Sequence, residues 1–115
     1  MHESLPKHLQ PTCYTTYMYV GVDVGGTKTL MAVLDEHGVI RESTKFPTPR
    51  NYDHWLLEVR HTLADFEHKD FKAGGAGVPV TVFDRPRHRE VSFSNLPCRN
   101  VPIQADLEHI CHCPF

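Results

Sequence analysis

Between Tyr19 and Gly38 the sequence reads YVGVDVGGTKTLMAVLDEHG, with a carboxylate at Asp23, adjacent glycines at Gly25 and Gly26, then Thr27 and Lys28. Each residue type suits one part of holding a phosphate. Glycine removes the Cβ that would block a close approach, and successive backbone amides form an anion-binding nest. Thr27 or Lys28 adds a further donor. Asp23 is placed to hold Mg²⁺, directly or through water. Two familiar phosphate loops are excluded by spacing. A Walker-type loop needs four residues between its glycines, then Gly-Lys-Ser/Thr and a helix, whereas a strand-like run follows here. A dinucleotide fingerprint needs G-x-G-x-x-G opening a helix. What is left is a hairpin whose glycine turn aims N–H groups at a phosphate. A plain two-residue Gly-Gly hairpin with no ligand uses the same residues, and the turn alone does not separate the two.

A second group is HICHC, which places His109, Cys111, His112 and Cys113 within one short stretch. Structural zinc takes two ligand pairs well apart in sequence, and one tight cluster cannot easily set four side chains tetrahedrally. Clustering at a helix end is the plainer reading, with nine histidines in the chain favouring weak adventitious metal binding.

These residues need elements to position them. YMYVGVDV, residues 17–24, is β-branched and aromatic and reads as a strand. TKTLMAVLD predicts a second strand, DEHG a turn with Gly38 free to take positive φ, and VIRESTKF a third strand. The three make an antiparallel meander. After FPTPRN, Asn51 is a candidate cap and Asp53 suits a first helical turn. Trp55, Leu56, Val59, Leu63 and Phe66 recur at helical spacing, with Glu58, Arg60, Asp65 and Glu67 on the surface. FKAGGAGVPV reads as a short buried strand running into a glycine-rich turn. VFDRPRHREVSFS reads as strand, turn around Pro86 and strand, NLPCRNVPIQ as a loop. Ile103, Leu107 and Ile110 predict a second short helix. The order β-β-β-α-β with a further strand and helix is an α/β pattern with an antiparallel start.

The 115 residues are one domain's length. They are 40% hydrophobic and 23% charged, an ordinary globular composition. A net charge of −2 with no basic block argues against nucleic acid or an anionic membrane as partner. No apolar run approaches the roughly 18–20 residues needed to span a bilayer. Residues 1–16 lack the apolar segment of a signal peptide and read as a polar tail. The expected setting is the cytoplasm, with Cys13, Cys98, Cys111 and Cys113 reduced.

YVGVDVGGTKTLMAVLDEHGVI resembles the phosphate-1 segment of the ROK family (repressors, open reading frames and sugar kinases) of the actin-like superfamily. Asp23, Gly25, Gly26, Thr27 and Lys28 stand where its D-x-G-G-T-K motif stands. GAGVPV, residues 75–80, is similar to the family's G-I-G-V-P-G loop, and FSNLPCRNVPI, residues 93–103, to its S-P-N-L-P…N-V-P-L segment. The resemblance covers about residues 20–110. It implies an actin-like, ribonuclease H-like ATPase lobe over residues 17–115, the phosphate- and sugar-side lobe of an ATP-dependent sugar kinase. Residues 25–28 would hold the phosphates of ATP, Asp23 would help place Mg²⁺, and Gly77, Ser94 and Asn95 would lie on the sugar side. The implied partner is a hexose or N-acetylhexosamine, and full-length members are often homodimers.

The sequence departs from the family pattern at Val80, where the family has the second glycine of G-V-P-G. A Cβ there would narrow the pocket or change its substrate. The family's general base is an Asp on the strand after the second helix, expected beyond Phe115, as are its His/Cys zinc segment and its second lobe. Asp84, Glu90, Asp106 and Glu108 read as solvated charges rather than as substitutes. The expectation is therefore an incomplete lobe, inactive in isolation, with an unpaired sheet edge and a poorly covered apolar face. Two alternatives are a sugar-sensing ROK transcriptional regulator, for which the sixteen residues before the first strand are too few to form a winged helix-turn-helix, and a non-catalytic half-domain relic.

Overall fold

The structure is a computed structural model that describes residues 17–78, 80–84, 89–93 and 101–115. Three strands, β1 (Met18–Val24), β2 (Lys28–Asp35) and β3 (Ile40–Pro47), form the expected antiparallel meander. Helix α1 (Tyr52–Asp65) then carries the chain back to β4 (Ala73–Gly77), which pairs parallel with β1. The sheet order is β3-β2-β1-β4. Strands β5 (Val80–Asp84) and β6 (Arg89–Phe93) make a separate antiparallel pair, and α2 (Ile103–Cys111) follows.

Local chemistry explains these boundaries. The alternation Val20, Val22, Val24 buries one face of β1, and Thr29, Met31 and Val33 do the same in β2. Asn51 caps α1 as expected, its side-chain oxygen accepting from the His54 N–H at 3.2 Å. Trp55 and Val59 from α1 and Ile103, Leu107 and Ile110 from α2 close over the sheet in one apolar core. The Tyr52 hydroxyl also donates to Asp106 across the two helices at 2.7 Å.

Two turns are held by carboxylates. Asp35 accepts from the Val39 and His37 N–H groups, closing the β2–β3 turn in which Gly38 takes φ +79°. Glu42, on β3, accepts from the N–H groups of Glu67 and His68 and meets the His68 ring at 2.6 Å, tying the segment after α1 to the sheet.

The structure corrects the sequence reading in three places. The glycine-rich run AGGAG is itself β4, and its last three residues are exposed rather than buried. The β1–β2 turn centres on Gly26 and Thr27, because the Gly25 N–H donates to the Lys28 carbonyl at 2.8 Å and these two residues flank the turn. Asp106 and Glu108 are not solvated charges: both are half-buried, and Glu108 accepts from the Phe115 N–H at 3.1 Å. The segment after α2 lies beside β4, where the Pro114 carbonyl accepts from the Gly74 N–H at 2.7 Å. From Gly75 to Gly77 β4 is an exposed edge of the sheet.

Candidate functional site

The sheet topology brings the phosphate-type loop and the glycine-rich strand together. Asp23 is exposed near the C-terminal end of β1, and its register partner in the parallel strand is Gly77, near the C-terminal end of β4. A Cβ built on Gly77 would lie 3.6 Å from the Asp23 Oδ1, so the carboxylate reaches across the face of β4. The C-terminal ends of parallel strands are where α/β sheets place their ligands. Gly26, Thr27 and Lys28 follow Asp23 around the turn, all exposed.

Gly25 has a specific steric duty. A Cβ there would sit 2.6 Å from the backbone oxygen of Lys28, so any larger residue forces the turn open. The requirement is room for the returning chain, a use of glycine distinct from the φ > 0 need at Gly38. Thr48, just beyond β3, braces the same loop from behind. Its N–H donates to the Thr27 carbonyl and its hydroxyl to the Gly25 carbonyl, each at 2.9 Å.

The donor set fits a magnesium–polyphosphate group. Asp23 offers the hard carboxylate oxygen that Mg²⁺ prefers. Residues 26–28 are exposed, and their backbone N–H groups with the Lys28 ammonium are positive partners of the kind phosphate oxygens take. Ser94, Asn95 and the Val80 side chain lie outside the described residues, so of the three residues expected on the sugar side only Gly77 is described, paired in register with Asp23.

The His/Cys stretch divides in two. Cys111 and Cys113 are buried, whereas His109 and His112 are exposed with ring centroids 6.4 Å apart. Burial, reinforced by neighbouring Cys113, pushes the Cys111 thiol up to about 12. Burial and then Glu108 raise Cys113 as well. Among the described residues no three His, Cys, Asp or Glu side chains converge as a metal set.

A sequence profile of the ROK family matches residues 19–115. The chain belongs to the ROK family. It is 34% identical over 92 residues to an N-acetyl-D-glucosamine kinase of Histophilus somni, and 30% to one of Escherichia coli O7:K1. Each match takes in 78% of this chain and 30% of the relative, so the chain spans less than a third of the kinases it matches. Among solved structures it is similar to a ROK family glucokinase from Streptomyces griseus in complex with glucose and AMPPNP. That match has a TM-score of 0.71 at 30% identity, over 84% of this chain and 31% of the glucokinase. A ROK hexokinase from Thermus thermophilus shares the fold at a TM-score of 0.57 and 21% identity, over 84% of this chain and 33% of the hexokinase. The fold is thus the α/β, actin-like ATPase type found in ROK sugar kinases, and the alignments cover one part of it. Among the described residues no helix is long and apolar enough to cross a membrane.

The sequence reading missed Thr48. Two prolines flank it in FPTPRN, and a lone threonine between prolines carries no signal that its hydroxyl turns back to a loop 23 residues earlier.

Proposed function

We propose that this chain supplies the phosphate-holding and sugar-facing part of a kinase site that transfers a phosphoryl group from ATP to a hexose or N-acetylhexosamine. The observation that carries this reading is the juxtaposition of Asp23 and its glycine turn with Gly77, across the paired ends of β1 and β4. The N-acetylglucosamine kinases and the glucose- and AMPPNP-bound glucokinase among its relatives support the same class of substrate and nucleotide.

In this reading residues 25–28 hold the phosphates through backbone N–H groups and the Lys28 ammonium. Asp23 holds Mg²⁺, which when bound spreads the negative charge that develops on phosphoryl transfer. Gly77, with Ser94 and Asn95, faces the sugar. Asp106 and Glu108 already serve Tyr52 and Phe115 and are not proposed as bases. A cytosolic setting, where ATP is supplied and thiols stay reduced, goes with this reading.

Calorimetric titration of magnesium AMPPNP into the chain tests the reading. The expected result is binding that weakens roughly tenfold in Lys28→Met, as loss of a charge-assisted contact does, and that loses its magnesium dependence in Asp23→Asn. Affinity indifferent to both substitutions would sink the proposal.

A further inference from the structure

The brace behind the loop continues into the core. Trp55, fully buried on α1, donates its indole N–H to the Thr29 Oγ1 at 3.1 Å. The Thr29 hydroxyl lies 2.9 Å from the Thr48 Oγ1, which lies 2.9 Å from the Gly25 carbonyl oxygen. Donor counting fixes every direction in this chain. A carbonyl only accepts, so Thr48 spends its single hydroxyl proton on Gly25. Thr29 must then be the donor to Thr48, and an indole N–H only donates. The relay runs one way, Trp55 to Thr29 to Thr48 to Gly25, an arrangement in which each bond polarises the next.

The relay acts on the loop through peptide planarity. In a trans peptide the C=O and the following N–H point in opposite directions. Thr48 holds the Gly25 carbonyl with its hydroxyl and the Thr27 carbonyl with its N–H. The N–H groups of Gly26 and Lys28 are thereby turned away from Thr48. Both residues are exposed.

We propose that Thr48 is a positioning residue for the phosphate loop. Anchored through Thr29 to Trp55, it sets two peptide planes so that the Gly26 and Lys28 N–H groups are pre-aimed at phosphate oxygens. This rests on reading the loop as a phosphate site. Its content beyond that reading is that a threonine and a tryptophan that touch no ligand determine how well the loop binds one. Preorganised donors of this kind lose nothing to reordering when the anion arrives.

The test pairs Thr48→Val, which keeps shape and removes the hydroxyl, with Thr48→Ser, which restores it. Thr44→Val, at an exposed position of β3, is the control for a generic change in that strand. Two quantities are read on the full chain: affinity for magnesium AMPPNP, and the backbone amide order parameter of Gly26 by NMR relaxation. The expected result in Thr48→Val is a roughly tenfold loss of affinity and a fall in the order parameter from about 0.85 towards 0.6. Thr48→Ser should recover both, and Thr44→Val should change neither. Trp55→Phe, which removes the far donor of the relay, should give a smaller loss of the same sign, and serves if Thr48→Val does not fold. Nucleotide binding that is intact in Thr48→Val with an unchanged order parameter overturns the inference while leaving the phosphate site standing. A wild-type chain that binds no nucleotide, yet whose Gly26 order depends on the Thr48 hydroxyl, retains the relay and removes the phosphate reading instead.

Discussion

At the scale of single residues, the glycines divide by what surrounds them. Gly25 faces the Lys28 carbonyl with no space for a side chain, whereas a Cβ on Gly75 would meet nothing within 4 Å. Gly25→Ala is therefore expected to destabilise the chain by about 1–3 kcal/mol and to abolish measurable magnesium AMPPNP binding. Gly75→Ala should stay within about 0.5 kcal/mol of wild type. Denaturant midpoints of the two variants, with calorimetric titrations alongside, check the contrast. The motif DVGGTK shows the limit of what residues announce. Adjacent glycines before Thr-Lys are legible as a phosphate-type turn, and Asp23 as its carboxylate. The centring of the turn on Gly26–Thr27 was not legible, because one hydrogen bond between Gly25 and Lys28 decides it. Thr48 was less legible still, since its role exists only once β3 and the turn have been brought together.

At the scale of elements, periodicity served wherever one face is buried and one is wet. Strands β1 and β2 and helix α1 follow from their apolar spacing, and the Asn51 cap from residue type. Strand β4 has no such pattern. AGGAG contains no β-branched or aromatic residue, and it is a strand because β1 offers it a parallel partner from Tyr19 to Asp23. The carboxylate ties between elements were also invisible in sequence. Glu42 is held from the ordinary 4.5 down to about 2, first by the His68 N–H, then by that of Glu67, with the His68 ring adding to them against the cost of burial. Its folded-state value is depressed, so the stability it contributes is present above pH 4.5 and lost as pH falls towards 2. Melting temperatures recorded across that window should fall more steeply for wild type than for Glu42→Gln. Asp35, lowered chiefly by the Val39 N–H, contributes with the same sign and remains in the variant, so the variant curve is flatter but not flat.

At the scale of the whole molecule, one apolar core joins the sheet to both helices, and the residues after α2 return to the far edge of that sheet. The Phe115 ring lies where a Cβ on Gly74 would have to go. Gly74→Ala should displace that half-buried ring, which can swing aside, so the loss should be smaller than in Gly25→Ala, at most about 1 kcal/mol, visible as a small shift in the urea midpoint with little change in slope. Among the described residues, β4 has the backbone of Pro114 beside it at Gly74 and is exposed from Gly75 to Gly77.

The β1–β4 pairing also carries a consequence for how the molecule is assembled in time. The β1–β2–β3 meander closes through short turns, but Tyr19 and Ala73 are partners across most of the described chain. Contacts so distant in sequence require a large loop to close before they return any stability, and such contacts tend to form late. The turn that bears Gly25–Lys28 is then built early and locally, while its apposition to Gly77 waits for a later, long-range closure. Substitutions in the meander will register in the rate of folding, and those in β4 in the rate of unfolding. The two halves of the candidate site are thus separated in folding order although they are adjacent in space.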